Sequence, residues 1–143
     1  MTKEETDLLF KDICGRLPYG VKAKVYGWDE ERGEVEIPLK IYSVNTDGYV
    51  QFEVNDYDVN YLAVDDCLFY LRPMSSMTDE ERAEYRELGG VMSYSPQHDT
   101  WAMCAFAPEA YDWLNKKQFD YRGLISMGLA LEAPEDMYNT KNK

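Results

Sequence analysis

The stretch Val21–Ile41, VKAKVYGWDEERGEVEIPLKI, decides the fold. Apolar residues occupy every second position on both sides of its centre: Val21, Ala23 and Val25 before it, and Val35, Ile37, Leu39 and Ile41 after it. Such alternation is typical of strands with one buried face, because successive side chains point to opposite sides of a sheet. The polar segment 28–33 predicts a turn between the two strands. We therefore expect a β-hairpin, with Pro38 at a sheet edge or a bulge because proline cannot donate a backbone hydrogen bond.

Two further segments extend this hairpin. The residues NTDG at 45–48 predict a second turn, and YVQFEV at 49–54 alternates as a third strand. The apolar but irregular segment 59–71 predicts either a fourth strand or a one-turn helix followed by a strand. Strands that follow one another through short turns pair antiparallel. The sequence therefore predicts a mainly antiparallel curled sheet or small barrel.

Helix signals lie on both sides of the sheet region. Thr2 and Glu5 have the spacing of a capping box, and the helix that follows is expected to end at Gly15. A second capping box, formed by Thr78 and Glu81, predicts a helix that runs to about residue 88. Pro108 suits the first turn of a third helix that ends near residue 117. A last short helix is expected within residues 119–131.

The fold class that these signals give is α+β. It consists of an N-terminal helix, the mainly antiparallel sheet and a helical C-terminal half, into which residues 91–94 and 101–106 bring two more strands. A chain of 143 residues fits one domain of ordinary size. We expect a single domain over residues 1–133 and a polar, flexible tail over 134–143.

Charge and composition restrict the partners. The net charge of −12 repels nucleic-acid phosphates and anionic lipids, so direct binding to nucleic acid or to a membrane surface is not expected. The polar first residues contain no apolar signal core, and no stretch approaches the roughly 18 apolar residues of a membrane span. The three widely spaced cysteines, Cys14, Cys67 and Cys104, indicate reduced thiols. These features predict a cytoplasmic protein.

Metal and cofactor motifs fail where their geometry is strictest. Residues 56–60, DYDVN, match the first half of a calcium loop, but that loop needs glycine at its sixth position and glutamate at its twelfth. Tyr61 and Cys67 stand there instead. A zinc site is not expected, because the cysteines are far apart in sequence and His98 is the only histidine. The chain also lacks a glycine-rich phosphate loop, so the sequence predicts no cofactor.

Catalysis has one candidate residue. His98 is the only side chain that could serve as a neutral-pH base for a cysteine or serine nucleophile, and Asp99 beside it could orient its ring. Pairs of carboxylates are abundant, but acid–base chemistry needs two of them in one cleft. A small hydrolase-like enzyme that uses His98 is therefore one hypothesis for the function.

Aromatic residues are the unusual part of the composition, at 14%, and twelve of them are tyrosines. Most must be buried, but a few exposed rings would form a surface for protein binding, where tyrosine and tryptophan are enriched. The candidates for such a surface are Tyr49, Tyr57, Tyr61, Trp101 and Trp113.

Four segments carry a resemblance to known proteins: DICGRLPYGV at 12–21, YLRPMSSMT at 70–78, FDYRGLI at 119–125 and GLALEA at 128–133. Together they resemble a group of small uncharacterised proteins encoded by gut bacteria and by their phages and mobile elements. The resemblance covers most of the chain. It implies a role of phage or accessory-gene type and brings no catalytic residue with it.

The leading hypothesis for the function is a non-enzymatic module that binds another protein through exposed aromatic residues. The second hypothesis is an acidic mimic of nucleic acid that occupies a DNA- or RNA-binding protein. The hydrolase-like enzyme is the third. An aromatic contact should survive high salt, whereas a charge mimic should release its partner because salt screens exposed charges.

Overall fold

The structure is a computed structural model that describes residues 1–95, 100–105 and 108–138, and the side chains of residues 1–90 and 108–138. The helices are α1 (Lys3–Arg16), α2 (Asp79–Glu87) and α3 (Pro108–Lys116). The strands are β1 (Lys22–Asp29), β2 (Gly33–Val44), β3 (Tyr49–Phe52), β4 (Tyr61–Ala63), β5 (Leu68–Leu71), β6 (Gly90–Ser95), β7 (Thr100–Ala105) and β8 (Ala130–Glu132).

The chain forms two compact units. Unit 1 consists of Met1–Tyr70 and Leu129–Leu131, and unit 2 consists of Leu71–Gly128 and Glu132–Lys143. The expectation of a single domain over residues 1–133 stays a prediction. The predicted tail is described only as far as residue 138, where its residues form turns, and the remainder of it lies outside the described residues. In the described part of the chain, no helix is long and apolar enough to cross a membrane.

Helix α1 begins as the sequence predicts but ends later. The Thr2 hydroxyl accepts from the Glu5 backbone and the Glu5 carboxylate accepts from the Thr2 backbone, which confirms the capping box. The predicted end at Gly15 is wrong. Pro18 fits the start of a 3-10 turn over Leu17–Tyr19, and Gly20, with a φ of 78°, makes the left-handed turn that reverses the chain.

The large sheet contains six strands in the order β4-β3-β2-β1-β5-β8, and it is mixed and open. The pairings of β1 with β2, β1 with β5, β2 with β3 and β3 with β4 are antiparallel. The small barrel that the sequence allowed is therefore wrong. The strands at the two edges, β4 and β8, have only 3 residues each, which is too short for a ladder that would close the sheet.

Strand β2 explains how the sheet accommodates Pro38. The register of β3 begins at Ile41, and a bulge follows between Ile41 and Ser43. Pro38 lies before this region, in the part of β2 that pairs with β1 alone. The Pro38 nitrogen points away from β1, and β3 does not extend far enough to lie opposite it. The prediction that this strand lies at a sheet edge or bulges at Pro38 is wrong, because β2 lies between β1 and β3 and its bulge falls between Ile41 and Ser43.

The core of unit 1 lies on one face of this sheet. Leu9 and Ile13 of α1 are fully buried, as are Val21, Ala23 and Val25, which alternate with more exposed residues along β1. Within the segment 59–71, both predicted alternatives occur in turn: β4 is followed by a 3-10 turn over Val64–Asp66 and then by β5.

Unit 2 contains α2, the β6–β7 hairpin and α3, so both predicted strands and both predicted helices are present. The helical C-terminal half is not confirmed, because each of these helices has only 9 residues and the hairpin lies between them. The expected last helix does not form. The Asp120 carboxylate instead accepts from the backbone of Leu124 and Ile125, and Gly123 and Gly128 adopt positive φ values that end any helical run.

Candidate functional site

The outward face of the unit 1 sheet carries the exposed aromatic residues. Register and burial agree on which side chains share this face, because buried and exposed positions alternate along β1 and β3. The face presents two groups of rings. We name them the bulge cluster, formed by Tyr42, Tyr49 and Tyr61, and the hairpin cluster, formed by Tyr26 and Trp28.

A β-bulge and two cross-strand pairings assemble the bulge cluster. The bulge places Tyr42 and Ser43 together opposite Gln51, and the Ser43 hydroxyl donates to the Gln51 side chain. Gln51 in turn pairs with Tyr61 and Ala63 pairs with Tyr49, so the two tyrosines are diagonal neighbours. Their rings meet edge to face with centroids 5.7 Å apart. Such a contact fixes both rings without burying them.

The bulge cluster is open to solvent. Tyr42 is 72% exposed, Tyr61 is 62% exposed and Tyr49 is 42% exposed. A single exposed ring is ordinary, whereas several exposed rings on one face are a feature of interaction surfaces. Three exposed tyrosines on one face combine apolar rings with polar hydroxyl groups, which is the composition of a protein-binding surface.

The hairpin cluster lies at the other end of the same face. Tyr26 is 52% exposed and Trp28 is 71% exposed. Tyr26 lies opposite Glu36 in β2, and Tyr42 follows Glu36 by six positions in the same strand. Because a strand rises about 3.3 Å per residue, the two clusters are roughly 20 Å apart. A turn holds the end of the hairpin, because the Asp29 carboxylate accepts from the backbone of Glu31 and Arg32.

A lysine lies beside the hairpin cluster. The Lys24 ammonium is 5.4 Å from the centre of the Tyr26 ring and 4.0 Å from the Glu36 carboxylate. Its hydrogen bond with the Tyr26 side chain, aided by the Glu36 charge, raises the pKa of Lys24 above its ordinary value. Burial raises the pKa of the neighbouring Tyr70 hydroxyl. Lys24 is therefore cationic and Tyr70 neutral at pH 7.

Of the five aromatic residues proposed from the sequence, the structure brings Tyr49 and Tyr61 together on the surface. Tyr57 is half-buried, with its ring so close to Gly27 that a Cβ atom there would lie 2.7 Å away. Trp113 is buried in unit 2, where its indole N–H donates to Glu84 over 2.6 Å, so this ring is not available to a surface patch. Trp101 lies in β7, and its side chain is outside the described residues.

Sequence reasoning missed Tyr26, Trp28 and Tyr42, and a signal was present for Tyr26 alone. The sequence places Trp28 in the turn at 28–33, whereas it lies in β1, and the position of Tyr42 depends on the bulge. Tyr26 alternates with the buried Ala23 and Val25 in the same period-2 pattern that predicts the strand. A ring at a polar position of an amphipathic strand must face outward.

The metal-binding and catalytic candidates from the sequence can be compared with the described side chains. Among them, no group of three or more histidine, cysteine or acidic side chains could hold a metal ion. The segment 56–60 forms a turn in which the Asn55 side chain accepts from the backbone of Tyr57 and Val59. Burial, with a smaller contribution from Asp66, raises the pKa of the Cys67 thiol to about 12, so Cys67 is a poor nucleophile at neutral pH. His98 lies outside the described residues.

No known protein family, curated protein or solved structure matches this chain. The resemblance to proteins of gut bacteria, phages and mobile elements therefore stays a prediction.

Proposed function

We propose that this protein is a non-enzymatic interaction module and that the bulge cluster binds another protein. The observation that carries this proposal is the exposure of Tyr42, Tyr49 and Tyr61 side by side on one sheet face. Aromatic anchors near the centre of an interface supply most of its binding energy.

The construction of the cluster supports a binding role over a purely structural one. The Tyr49–Tyr61 contact holds those two rings together before a partner arrives, and the bulge sets where the backbone presents Tyr42. A fixed ring loses little side-chain entropy on binding, so more of its burial energy is available to the complex. In the inner face of the same sheet, by contrast, Val50 and Phe52 are already buried and already contribute to the fold.

The apolar character of the cluster predicts how binding responds to salt. An interface formed by rings depends mainly on the burial of apolar surface, which salt does not weaken. Contacts between exposed charges are screened within about 10 Å at 0.1 M salt. We therefore expect a partner that stays bound at high salt, even though the chain carries a net charge of −12.

The test is a capture experiment with matched variants. The chain with Tyr42→Ser, Tyr49→Ser and Tyr61→Ser together is compared with a control that carries Tyr19→Ser and Tyr111→Ser, since Tyr19 and Tyr111 are exposed tyrosines outside both clusters. Each chain is immobilised and exposed to host lysate at low and at high salt, and bound proteins are identified by mass spectrometry.

We expect a protein that the wild type and the control hold at high salt and that the triple variant loses. Truncating a central aromatic anchor costs about 2 kcal/mol or more, which is roughly a thirtyfold loss of affinity. A partner that the triple variant holds as strongly as the wild type does would contradict the proposal. So would a partner that every variant releases in salt.

A further inference from the structure

The outer edge of β1 exposes backbone groups that no strand pairs. The backbone of Ile41 donates to the carbonyl of Val21, so the odd-numbered residues of β1 direct their N–H and C=O groups toward β2. Because these groups alternate sides along a strand, Tyr26 and Trp28 direct theirs away from β2. The strand on that side is β5, whose register covers only Ala23 and Lys24.

The ladder stops there because the chain that precedes β5 is not extended. Residues Val64–Asp66 form the 3-10 turn, so β5 has no residues to place opposite Tyr26 and Trp28. In the described part of the chain, the register of β1 with β5 includes neither Tyr26 nor Trp28, so neither residue has a strand partner on that side. An edge with free N–H and C=O groups is a template for an added strand.

A small cavity opens beside this edge. It has a volume of about 190 Å³, and its apolar lining comes from Val25, Val59, Leu62 and Leu68. Pockets for whole ligands are usually larger, at roughly 300–1,000 Å³. The size and lining suit an aliphatic side chain, which an added strand would direct into it at every second position.

The charge around the edge selects the partner. Asp66 and Lys24 both line the cavity, and the Lys24 ammonium lies 4.0 Å from the Glu36 carboxylate. Asp29, Glu30 and Glu31 lie where β1 ends, so carboxylates outnumber ammonium groups around the edge. Asp56 and Asp58 flank Tyr57, and the Tyr57 ring lies against Gly27 of β1. Unit 1 as a whole has fifteen acidic and seven basic residues, so its net charge is −8.

We propose that the β1 edge binds an extended segment of another protein that alternates aliphatic and basic residues. The segment adds to the sheet through the N–H and C=O groups of Tyr26 and Trp28, places an aliphatic side chain in the cavity, and directs lysine or arginine side chains to the surrounding carboxylates. This edge lies apart from the bulge cluster, and the proposal holds whether or not Tyr42, Tyr49 and Tyr61 bind a partner.

The first test is amide hydrogen exchange followed by NMR, with and without a short, capped peptide of alternating lysine and valine at saturating concentration. In the free protein, we expect rapid exchange at Tyr26 and Trp28 and slow exchange at Val25 and Gly27, whose N–H groups face β2. The peptide should slow exchange at Tyr26 and Trp28 by about tenfold or more. Unchanged exchange at both positions would overturn the proposal.

Two altered peptides separate the backbone and charge parts of the proposal. A peptide with N-methylated valines cannot donate those backbone hydrogen bonds, and we expect it to bind at least about fivefold more weakly. A peptide with glutamate in place of lysine should show no binding, because it would meet carboxylates. Equal affinity of the N-methylated peptide would overturn strand addition, and equal affinity of the glutamate peptide would overturn the choice of a basic partner.

A matched pair of protein variants completes the test. Trp28→Ala and Trp28→Pro both remove the indole ring, but only Trp28→Pro also removes the N–H that faces the open edge. Proline is tolerated there because that N–H takes no part in the β1–β2 ladder. We expect Trp28→Pro to bind the lysine–valine peptide about fivefold more weakly than Trp28→Ala does. Equal binding by the two variants, with folding checked by circular dichroism, would contradict the proposal.

Discussion

Two aromatic pairs in this molecule have nearly the same ring separation but opposite environments, and one meets edge to face at 81° whereas the other stacks at 29°. In unit 1, the rings of Tyr49 and Tyr61 lie 5.7 Å apart and face solvent. In unit 2, the rings of Tyr85 and Trp113 lie 5.6 Å apart and are buried, and Phe119 stacks on Trp113 at 5.8 Å. The distance between two rings therefore does not tell whether they stabilise the fold or are free to bind.

The surroundings of each pair account for the difference. The unit 2 rings belong to a cluster that is closed by Met74, Met77 and Leu114. The unit 1 rings lie on the outer face of a sheet whose inner face already holds the core. Substitutions in unit 2 should therefore change stability, whereas substitutions in the bulge cluster should change binding.

The largest effect on stability is expected from Trp113→Ala. The change removes a buried ring together with its stacking on Tyr85 and Phe119 and its hydrogen bond to Glu84. We expect a loss of about 3–5 kcal/mol in the free energy of unfolding. Urea denaturation followed by circular dichroism measures it. A loss below about 1 kcal/mol would mean that this ring is not part of the core.

An intermediate effect is expected at the second capping box. The Glu81 carboxylate accepts from both terminal nitrogens of Arg72, at 2.9 and 2.8 Å, and from the Thr78 backbone. Burial alone would raise its pKa, but the hydrogen bonds from Arg72 and Thr78 outweigh burial and lower the pKa. Glu81→Gln should reduce the free energy of unfolding at pH 7 by about 1–3 kcal/mol.

The pH dependence of this effect has a definite sign. Because the pKa of Glu81 is lowered in the folded state, its contribution is complete above the unfolded value of about 4.3 and is lost as the pH falls through the folded value. The stability of the wild type and of Glu81→Gln should converge once the pH has fallen through the lowered folded-state pKa of Glu81. Glu5→Gln is the control in unit 1, because Glu5 bonds Thr2 rather than an arginine in the described structure. Equal losses in both variants would show that the Arg72 pair adds nothing.

The smallest effect on stability is expected from Tyr61→Ser. It removes one exposed cross-strand contact, which contributes about 0.2–1 kcal/mol. Thermal unfolding followed by circular dichroism should show almost no change, while capture of the partner should weaken. A loss of stability as large as that of Trp113→Ala would contradict the assignment of this ring to a binding surface.

The sequence predicts the sheet better than it predicts the surface. Alternation along β1 and β2 locates the hairpin because one face of each strand is buried. Pro38 does not mark an edge strand, because β2 lies between β1 and β3 and β3 begins to pair only after the proline, at Ile41. The same alternation distinguishes Tyr26 as an outward residue, so part of the candidate site is readable from the sequence.

Other features depend on contacts between distant residues, which no local pattern reveals. Trp113 is buried because α2 supplies Tyr85 and Glu84 as its partners. Residues 119–131 contain helix-compatible residues, yet the Asp120 carboxylate and the glycines at 123 and 128 hold them in turns. The position of Tyr42 depends on a bulge that only the pairing with β3 creates.

Site-specific photocrosslinking tests the central claim most directly. A photoreactive phenylalanine analogue is placed at position 42 in the bulge cluster or, as the control, at position 111, where an exposed tyrosine lies outside it. After irradiation in host cells, the account predicts that position 42 crosslinks one specific protein in high yield and that position 111 does not. Equal yields from the two positions, or no crosslink from position 42, would contradict the claim that the bulge cluster binds a protein partner.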